Sequence, residues 1–216
     1  MSQEDRVNSP IGIFGGTFDP VHLGHMRPVL EVYETLGLGE LRLIPAHVPP
    51  HRSTPQFTPE LRLELLRRAA ADVPGFVVDT RELERSGKSY MVDTLASLRE
   101  EFPTRPLCLI LGMDSFLSLP SWHRWEQLAD YAHLVVMDRP GQAFTPEPKF
   151  GVWVQARRTA TPEALHQEPA GRVYFQAVTQ LSISATRIRA LMAEGRSVRF
   201  LVPDPVWVAL HERGLG

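Results

Sequence analysis

The stretch Ile11-Gly12-Ile13-Phe14-Gly15-Gly16-Thr17-Phe18-Asp19-Pro20-Val21-His22-Leu23-Gly24-His25 changes character twice. It opens on an apolar run suited to a buried strand and passes through a glycine pair. It then hands over to helical spacing, with Leu23, Met26, Val29, Leu30 and Tyr33 on one stripe. A strand that ends in glycines and feeds a helix is the corner of an open α/β sheet, and ligands sit at the carboxyl ends of such strands. Gly15 and Gly16 lack the β-carbon that would block a tight turn and a close ligand. The helix start offers N–H groups and partial positive charge, which suit phosphate. His22 and His25, three apart, share a face of the first turn and can donate to phosphate oxygens, with added charge where protonated. Because the apolar stripe lies elsewhere, both are expected off the core. Two histidines at this spacing also suit a metal, though no third ligand accompanies them, and either could be a surface histidine.

Working outward, further apolar runs recur at Leu41–Ile44, Phe76–Val78, Leu107–Leu111, Leu134–Met137 and Val173–Phe175. Several are nearly continuous, as in strands covered on both faces. Helical patterns fill the gaps at about His22 to Leu36, Pro59 to Asp72, Tyr90 to Glu101, His123 to Ala129, Ser184 to Ala193 and Asp204 to Arg213. Gly37 and Gly195 stand where helix C-termini favour glycine. The alternation predicts a single α/β domain: a Rossmann-like open parallel sheet with helices on both faces and right-handed crossovers. Residues 1–10 read as a flexible N-terminal arm and 11–216 as the domain. Ala46 to Thr58, with its prolines, reads as a surface loop. The stretch from Arg139 to Arg172 is long for a bare connection, so a short helix or strand is expected in it, near Val152-Trp153-Val154.

A second anion site is legible at Ile183-Ser184-Ala185-Thr186-Arg187-Ile188-Arg189. Ser184 is a good N-cap, and capping is its plain structural reading. Ile188, Leu191 and Met192 form the buried stripe, with Arg187 and Arg189 on opposite flanks. Thr186 and Arg189, three apart, project to one side. Arg187 is expected to face solvent or a salt bridge. Two helix starts with anion-binding groups in one small domain suggest a polyphosphate held between them.

Composition narrows the field. The 216 residues carry 43% hydrophobic and 22% charged side chains, enough apolar matter for a proper core. A net charge of −2 argues against a general nucleic-acid binder, which would show a basic face. Cys108 is the only cysteine, which excludes an internal disulfide and a cysteine-built metal site. Its place in an apolar run reads as buried strand. No apolar run approaches bilayer length. The polar, acidic start lacks the apolar region of a leader, so a cytoplasmic protein is expected. The sequence is silent on oligomeric state.

Taken together, His22-Leu23-Gly24-His25 and Ile183–Arg189 resemble the H-x-G-H and I-S-x-T-x-x-R signatures of the nucleotidylyltransferase superfamily. Three further runs resemble the bacterial nicotinate-mononucleotide adenylyltransferases: Pro49-Pro50-His51-Arg52; Glu82 through Leu95, with Ser89, Tyr90 and Met91; and Leu111-Gly112-Met113-Asp114-Ser115 followed by Trp122 and Trp125. The resemblance implies transfer of the adenylyl group of ATP to nicotinate mononucleotide, giving nicotinate adenine dinucleotide and pyrophosphate. It assigns His22, His25 and Arg189 to catalysis. Gly15, Gly16, Thr17, Phe18, Gly112, Asp114, Ser184 and Thr186 fall to ATP. Ser89, Tyr90, Met91, Trp122, His123 and Arg52 fall to the mononucleotide, with Trp122 against the pyridine ring. It also implies Mg²⁺ carried on the ATP phosphates and water, with few protein ligands. For Asp114 the plain alternative is a helix cap, and for Trp122 a core position.

Two positions depart from that pattern: relatives commonly carry threonine at Met91 and tyrosine at His123. A methionine donates no hydroxyl hydrogen bond, so reading of the pyridine carboxylate then falls to backbone N–H groups near Met91 and His123, or to a protonated His123. The rival readings are a nicotinamide-mononucleotide or pantetheine-phosphate adenylyltransferase and, in another class, a non-catalytic nucleotide-binding regulator. The Ser89-Tyr90 run and Trp122 favour the nicotinate enzyme. A regulator is expected to have lost a histidine or Arg189, and none is missing.

Overall fold

Each apolar run forms a strand in the computed structural model, which describes residues 8–47, 54–85, 87–138 and 144–215. Pro49–Arg52, Ser86 and residues 1–7 of the 1–10 arm lie outside these described residues. The order is β1 (Ile11–Gly16), α1 (Leu23–Thr35), β2 (Glu40–Pro45), α2 (Pro59–Ala70), β3 (Phe76–Val78), α3 (Met91–Glu101), β4 (Leu107–Gly112) and α4 (Met113–Leu117). There follow α5 (Leu128–Tyr131), β5 (His133–Asp138), α6 (Pro148–Gln155), α7 (Ala164–Gln167), β6 (Val173–Ala177), α8 (Ala185–Ala193) and α9 (Asp204–Glu212).

The six strands make one sheet in the order β3-β2-β1-β4-β5-β6, every neighbouring pair parallel. Alternation along the strands sends side chains to two cores. Phe14, Leu41, Leu43, Cys108, Ile110, Val135 and Met137 pack with α1, α2, α8 and α9. Ile13, Leu107, Leu109, Leu111, Leu134 and Val136 pack with α3, α4, α5 and α6. This two-sided burial explains why the central strands read as unbroken apolar runs. Cys108 is fully buried, and burial pushes its thiol up to about 12, far from any reactive thiolate.

From β1 the chain steps outward to β2 and β3, then returns to the other side of β1 as β4. At that reversal the carboxyl ends of β1 and β4 diverge and open a crevice. Gly16 ends β1 and Gly112 ends β4. At the opposite end the Arg99 guanidinium gathers the carbonyls of Phe102, Arg105, Tyr131 and Pro169 at 2.7 to 2.8 Å, tying α3 to the starts of β4 and β5.

One local reading needs amendment, the short helix expected after β5 is present, and the turn after β4 gains detail. The helix expected from His123 to Ala129 is broken. Arg124 adopts φ 49°, a left-handed conformation that ends helical propagation, and only a 3₁₀ turn at Trp125–Gln127 and α5 follow. The long connection after β5 holds two short helices, with Val152-Trp153-Val154 on α6. The turn after β4 is a short helix whose N-cap is Gly112, with Asp114 in its first turn. Gly37 and Gly195 take φ of 56° and 67° just past α1 and α8, the left-handed C-terminal position expected of them.

Candidate active site

The crevice between β1 and β4 contains a cavity of about 710 Å³. Its wall includes Gly15, Gly16, Thr17, Phe18, His22, His25, Gly112, Asp114, Ser184, Thr186 and Arg189, so both sequence motifs converge on one space. Asp114 is exposed there, and it occupies the first turn of α4 without being its cap.

The histidines meet differently from the sequence expectation. His22 is only 4% exposed, so it is buried in the cavity wall and not a surface residue. The cause is its place: it is the N-cap of α1, one residue short of the helical stripe, in extended conformation. Its N–H donates to Nδ1 of His25 at 3.3 Å, and the two rings stack with centroids 3.6 Å apart and an interplanar angle of 24°. That bond makes Nδ1 of His25 an acceptor and puts the donor hydrogen of the neutral ring on Nε2. Burial pushes His22 down to about 4, so at neutral pH it is an uncharged imidazole. Its Nδ1 is buried with no hydrogen-bond partner among the described residues.

Close packing dictates the glycines around this pair. A β-carbon on Gly24 would come within 3.0 Å of both Nδ1 of His22 and the carbonyl of Ile183, so glycine there lets the first motif press on the second. A β-carbon on Gly16 would meet the Phe18 ring at 3.0 Å. Phe18 itself takes φ 50°, a conformation that costs about 1–2 kcal/mol in a non-glycine residue. Its buried ring, edge-on to His25 at 5.3 Å, holds it there.

The second motif supplies its cap and cation as the spacing indicates. The Ser184 hydroxyl accepts from the N–H of Arg187 at 3.2 Å, and Arg187 is exposed. Arg189 reaches across to the first motif: Nη1 donates to the Asp19 carbonyl at 2.6 Å and lies 3.4 Å from its carboxylate, while Nη2 touches the Thr186 hydroxyl at 3.4 Å. The Asp19 carboxylate accepts from the N–H groups of Gln56 and Phe57, both at 2.9 Å, and so anchors the segment beyond the proline-rich loop.

Arg62 is a residue the sequence did not single out. It is fully buried, and its guanidinium donates to the carbonyls of Thr17 (2.7 Å), Ala46 (2.8 Å) and His47 (3.4 Å). It thus pins the exits of β1 and β2 together from behind.

A second cavity of about 340 Å³ adjoins the first and shares Gly15, Gly16, Thr17 and Ser115 with it. Ser89, Tyr90, Met91, Trp122 and His123 line it. Arg52, the remaining mononucleotide residue implied by resemblance, lies outside the described residues. Tyr90 and His123 face each other with ring centroids 4.5 Å apart, and Trp122 is half-buried. Arg124 forms a salt bridge with Asp93, clasping the loop that carries Trp122 to the first turn of α3. Tyr90 gives α3 no side-chain cap. The opening N–H groups of a helix have no intrahelical partner, and Met91 and Val92 line this cavity. A β-carbon on Gly15 would stand 2.5 Å from Cε of Met91, so the thioether lies on the glycine turn where the two cavities meet. Glu82, which the sequence shows only as the start of a run and without a role, is a 3%-exposed carboxylic acid in the same wall.

An open parallel sheet with a polar crevice at its switch point is a nucleotide-binding architecture, and the cytidylyltransferase-like family model matches residues 13–191. The probable nicotinate-nucleotide adenylyltransferase of Halorhodospira halophila is 53% identical over 204 residues, covering 94% of each chain. That of Methylococcus capsulatus is 50% identical over 206 residues, covering 95% of this chain and 98% of its own. The chain belongs to the nicotinate-nucleotide adenylyltransferase family. The fold is also that of Plasmodium falciparum nicotinic acid mononucleotide adenylyltransferase complexed with NaAD, with a TM-score of 0.70 at 16% identity over 96% of this chain and 97% of that one.

Proposed function

We propose that this chain transfers the adenylyl group of ATP to nicotinate mononucleotide, forming nicotinate adenine dinucleotide and releasing pyrophosphate. The observation that carries this reading is the pair of cavities meeting on Gly15-Gly16-Thr17: a polar one between two helix starts, and an aromatic one walled by Tyr90, Trp122 and His123. ATP occupies the first and the mononucleotide the second. A phosphate oxygen of the mononucleotide bonds to the α-phosphorus as the bond to the pyrophosphate oxygen breaks, so no protein nucleophile is required. Holding the reactants in line supplies about 7–11 kcal/mol of the barrier reduction. His22 and His25 act as hydrogen-bond donors to the phosphates, His22 as a neutral imidazole. Arg189, with Ser184 and Thr186, neutralises the charge of the departing pyrophosphate. A preorganised donor at such a position contributes about 3–4 kcal/mol.

Mg²⁺ accompanies the triphosphate in this reading and would screen its negative charge. The donor set fits a metal held mainly by phosphate oxygens and water: the Asp19 carboxylate is engaged by two N–H groups and Arg189, and Asp114 is the exposed carboxylate on the cavity wall. We place the reaction in the cytoplasm, where a lone thiol such as Cys108 stays reduced. No helix among the described residues is long and apolar enough to cross a membrane.

The test is pyrophosphate release with ATP and Mg²⁺, comparing nicotinate and nicotinamide mononucleotides as acceptors. Strong preference for the acid is the expected result. Equal rates would make the enzyme dual in specificity, and no release with either would overturn the reading.

A further inference from the structure

The wall of the aromatic cavity is backed by a polar chain centred on a buried acid. Glu82 accepts a hydrogen bond from the Thr94 hydroxyl at 2.7 Å and another from the Ser89 hydroxyl. Ser89 in turn accepts from the N–H of His47 at 3.1 Å, and Thr94 accepts from Arg85 at 3.2 Å. Glu82, Ser89 and Thr94 are all buried. The chain therefore joins the exit of β2, the segment before α3 and the first turn of α3.

A buried carboxylic acid lowers stability unless every lone pair is used. Arg85, whose charge favours the ionised Glu82, donates to Thr94, to the Asp93 carbonyl at 3.2 Å and to Ser97 at 2.9 Å, and among the described residues it makes no direct salt bridge with Glu82. The carboxyl's direct partners are thus hydroxyl groups, with the cation at one remove. Both hydroxyls it holds bracket Tyr90 and Met91, the residues that open α3 onto the cavity.

We propose that Glu82 is a positioning residue for the acceptor: by fixing the Ser89 and Thr94 hydroxyls it sets the Ser89–Met91 edge against the Trp122 wall. This rests on the assignment of the second cavity to the mononucleotide. Glu82 acts through its partners, so its loss changes acceptor binding and leaves the triphosphate site as it was.

The experiment compares full-chain wild type, Glu82→Leu, Glu82→Gln and Thr94→Val by steady-state kinetics, varying nicotinate mononucleotide and ATP separately. Thr94 lines neither cavity, so its variant reads the network alone. Glu82→Leu should raise the KM for the mononucleotide about tenfold and Thr94→Val about threefold, with the KM for ATP within about twofold of wild type. Glu82→Gln, which retains an acceptor oxygen, should recover most of the loss. Where Glu82→Leu does not fold, Thr94→Val decides. An unchanged mononucleotide KM in Thr94→Val, or parallel rises in both KM values, overturns the proposal. An inactive wild type would instead remove the assignment of the cavity, and the inference with it.

Discussion

Arg189 on α8 donates to the main-chain carbonyl of Asp19 at 2.6 Å, so the cation of the second motif is docked on the backbone of the first. Its Nε is buried without a hydrogen-bond partner among the described residues. A guanidinium already aimed and only partly engaged needs little reordering to receive a phosphate. Arg189→Ala is expected to raise the KM for ATP or lower kcat/KM by about 10²-fold, with the circular dichroism spectrum unchanged. An unaltered ATP titration would take Arg189 out of the site.

His22→Ala should lower kcat by about 10²-fold or more while the protein remains folded. Because burial holds His22 down to about 4 in the free enzyme, its protonation should leave no inflection in kcat/KM between pH 6 and 8. Turnover close to wild type in the alanine variant would remove the role assigned to this ring.

Stability should fall on acidification. His22 and His133 are both buried, and burial lowers both below the ordinary histidine value of 6.5. His133 uses both ring nitrogens, one to the Glu168 carbonyl at 2.7 Å and one receiving the N–H of Arg172 at 3.0 Å. The unfolded chain takes up these protons near pH 6.5 and the folded chain only further down. The contribution is therefore complete above pH 6.5 and is lost as pH falls towards the folded values. For His22 the loss amounts to about 2 kcal/mol by pH 5. Urea midpoints at pH 7.5 and pH 5 measure it, and a non-titrating His133→Asn variant should show a smaller drop than wild type.

Gly15→Ala sets a new methyl 2.5 Å from Cε of Met91. The atom in the way is the end of a flexible side chain, so the thermal midpoint should change little. The thioether must then swing into the acceptor cavity, and the KM for the mononucleotide should rise about tenfold. Adding Met91→Ala should restore much of it, a departure from additivity expected of residues in contact. Independent effects in the double variant would show that the two do not touch.

Arg62→Met keeps an unbranched stem but stops two atoms short of the guanidinium nitrogens, and removes three hydrogen bonds to the carbonyls at the ends of β1 and β2. Leaving buried carbonyls unsatisfied should cost about 3 kcal/mol, read from denaturant midpoints. A shift below about 0.5 kcal/mol would mean that water replaces the guanidinium without penalty.

The parts legible in the sequence are those governed by neighbours close in the chain. The central strands announce themselves because two-sided burial leaves no polar position in runs such as Leu107–Leu111. The anion crevice is legible because each half is a contiguous motif whose spacing fixes a helix face. The strand order is not, since the switch from β3 back to β4 depends on pairings that no local pattern encodes. His22 misleads because the stripe of α1 predicts only residues inside the helix, and the burial of a cap is set by what packs on it, here the His25 ring and Gly24. Arg62 hides among the charges of Pro59–Ala70, where an arginine usually means a solvated face; its partners lie 15, 16 and 45 residues away. Glu82 is concealed for the same reason, its environment being assembled from β2, α3 and the segment between.

The shared Gly15-Gly16-Thr17 floor also has a thermodynamic meaning. Whichever substrate arrives first meets a turn already held by the β1–β2 ladder and by Arg62, so any adjustment it forces there is made once for both. Occupancy of one cavity should then tighten the other, and the factor by which ATP sharpens the affinity for the mononucleotide must equal the factor by which the mononucleotide sharpens that for ATP. The glycine turn is in this sense the coupling element of the enzyme as well as its floor.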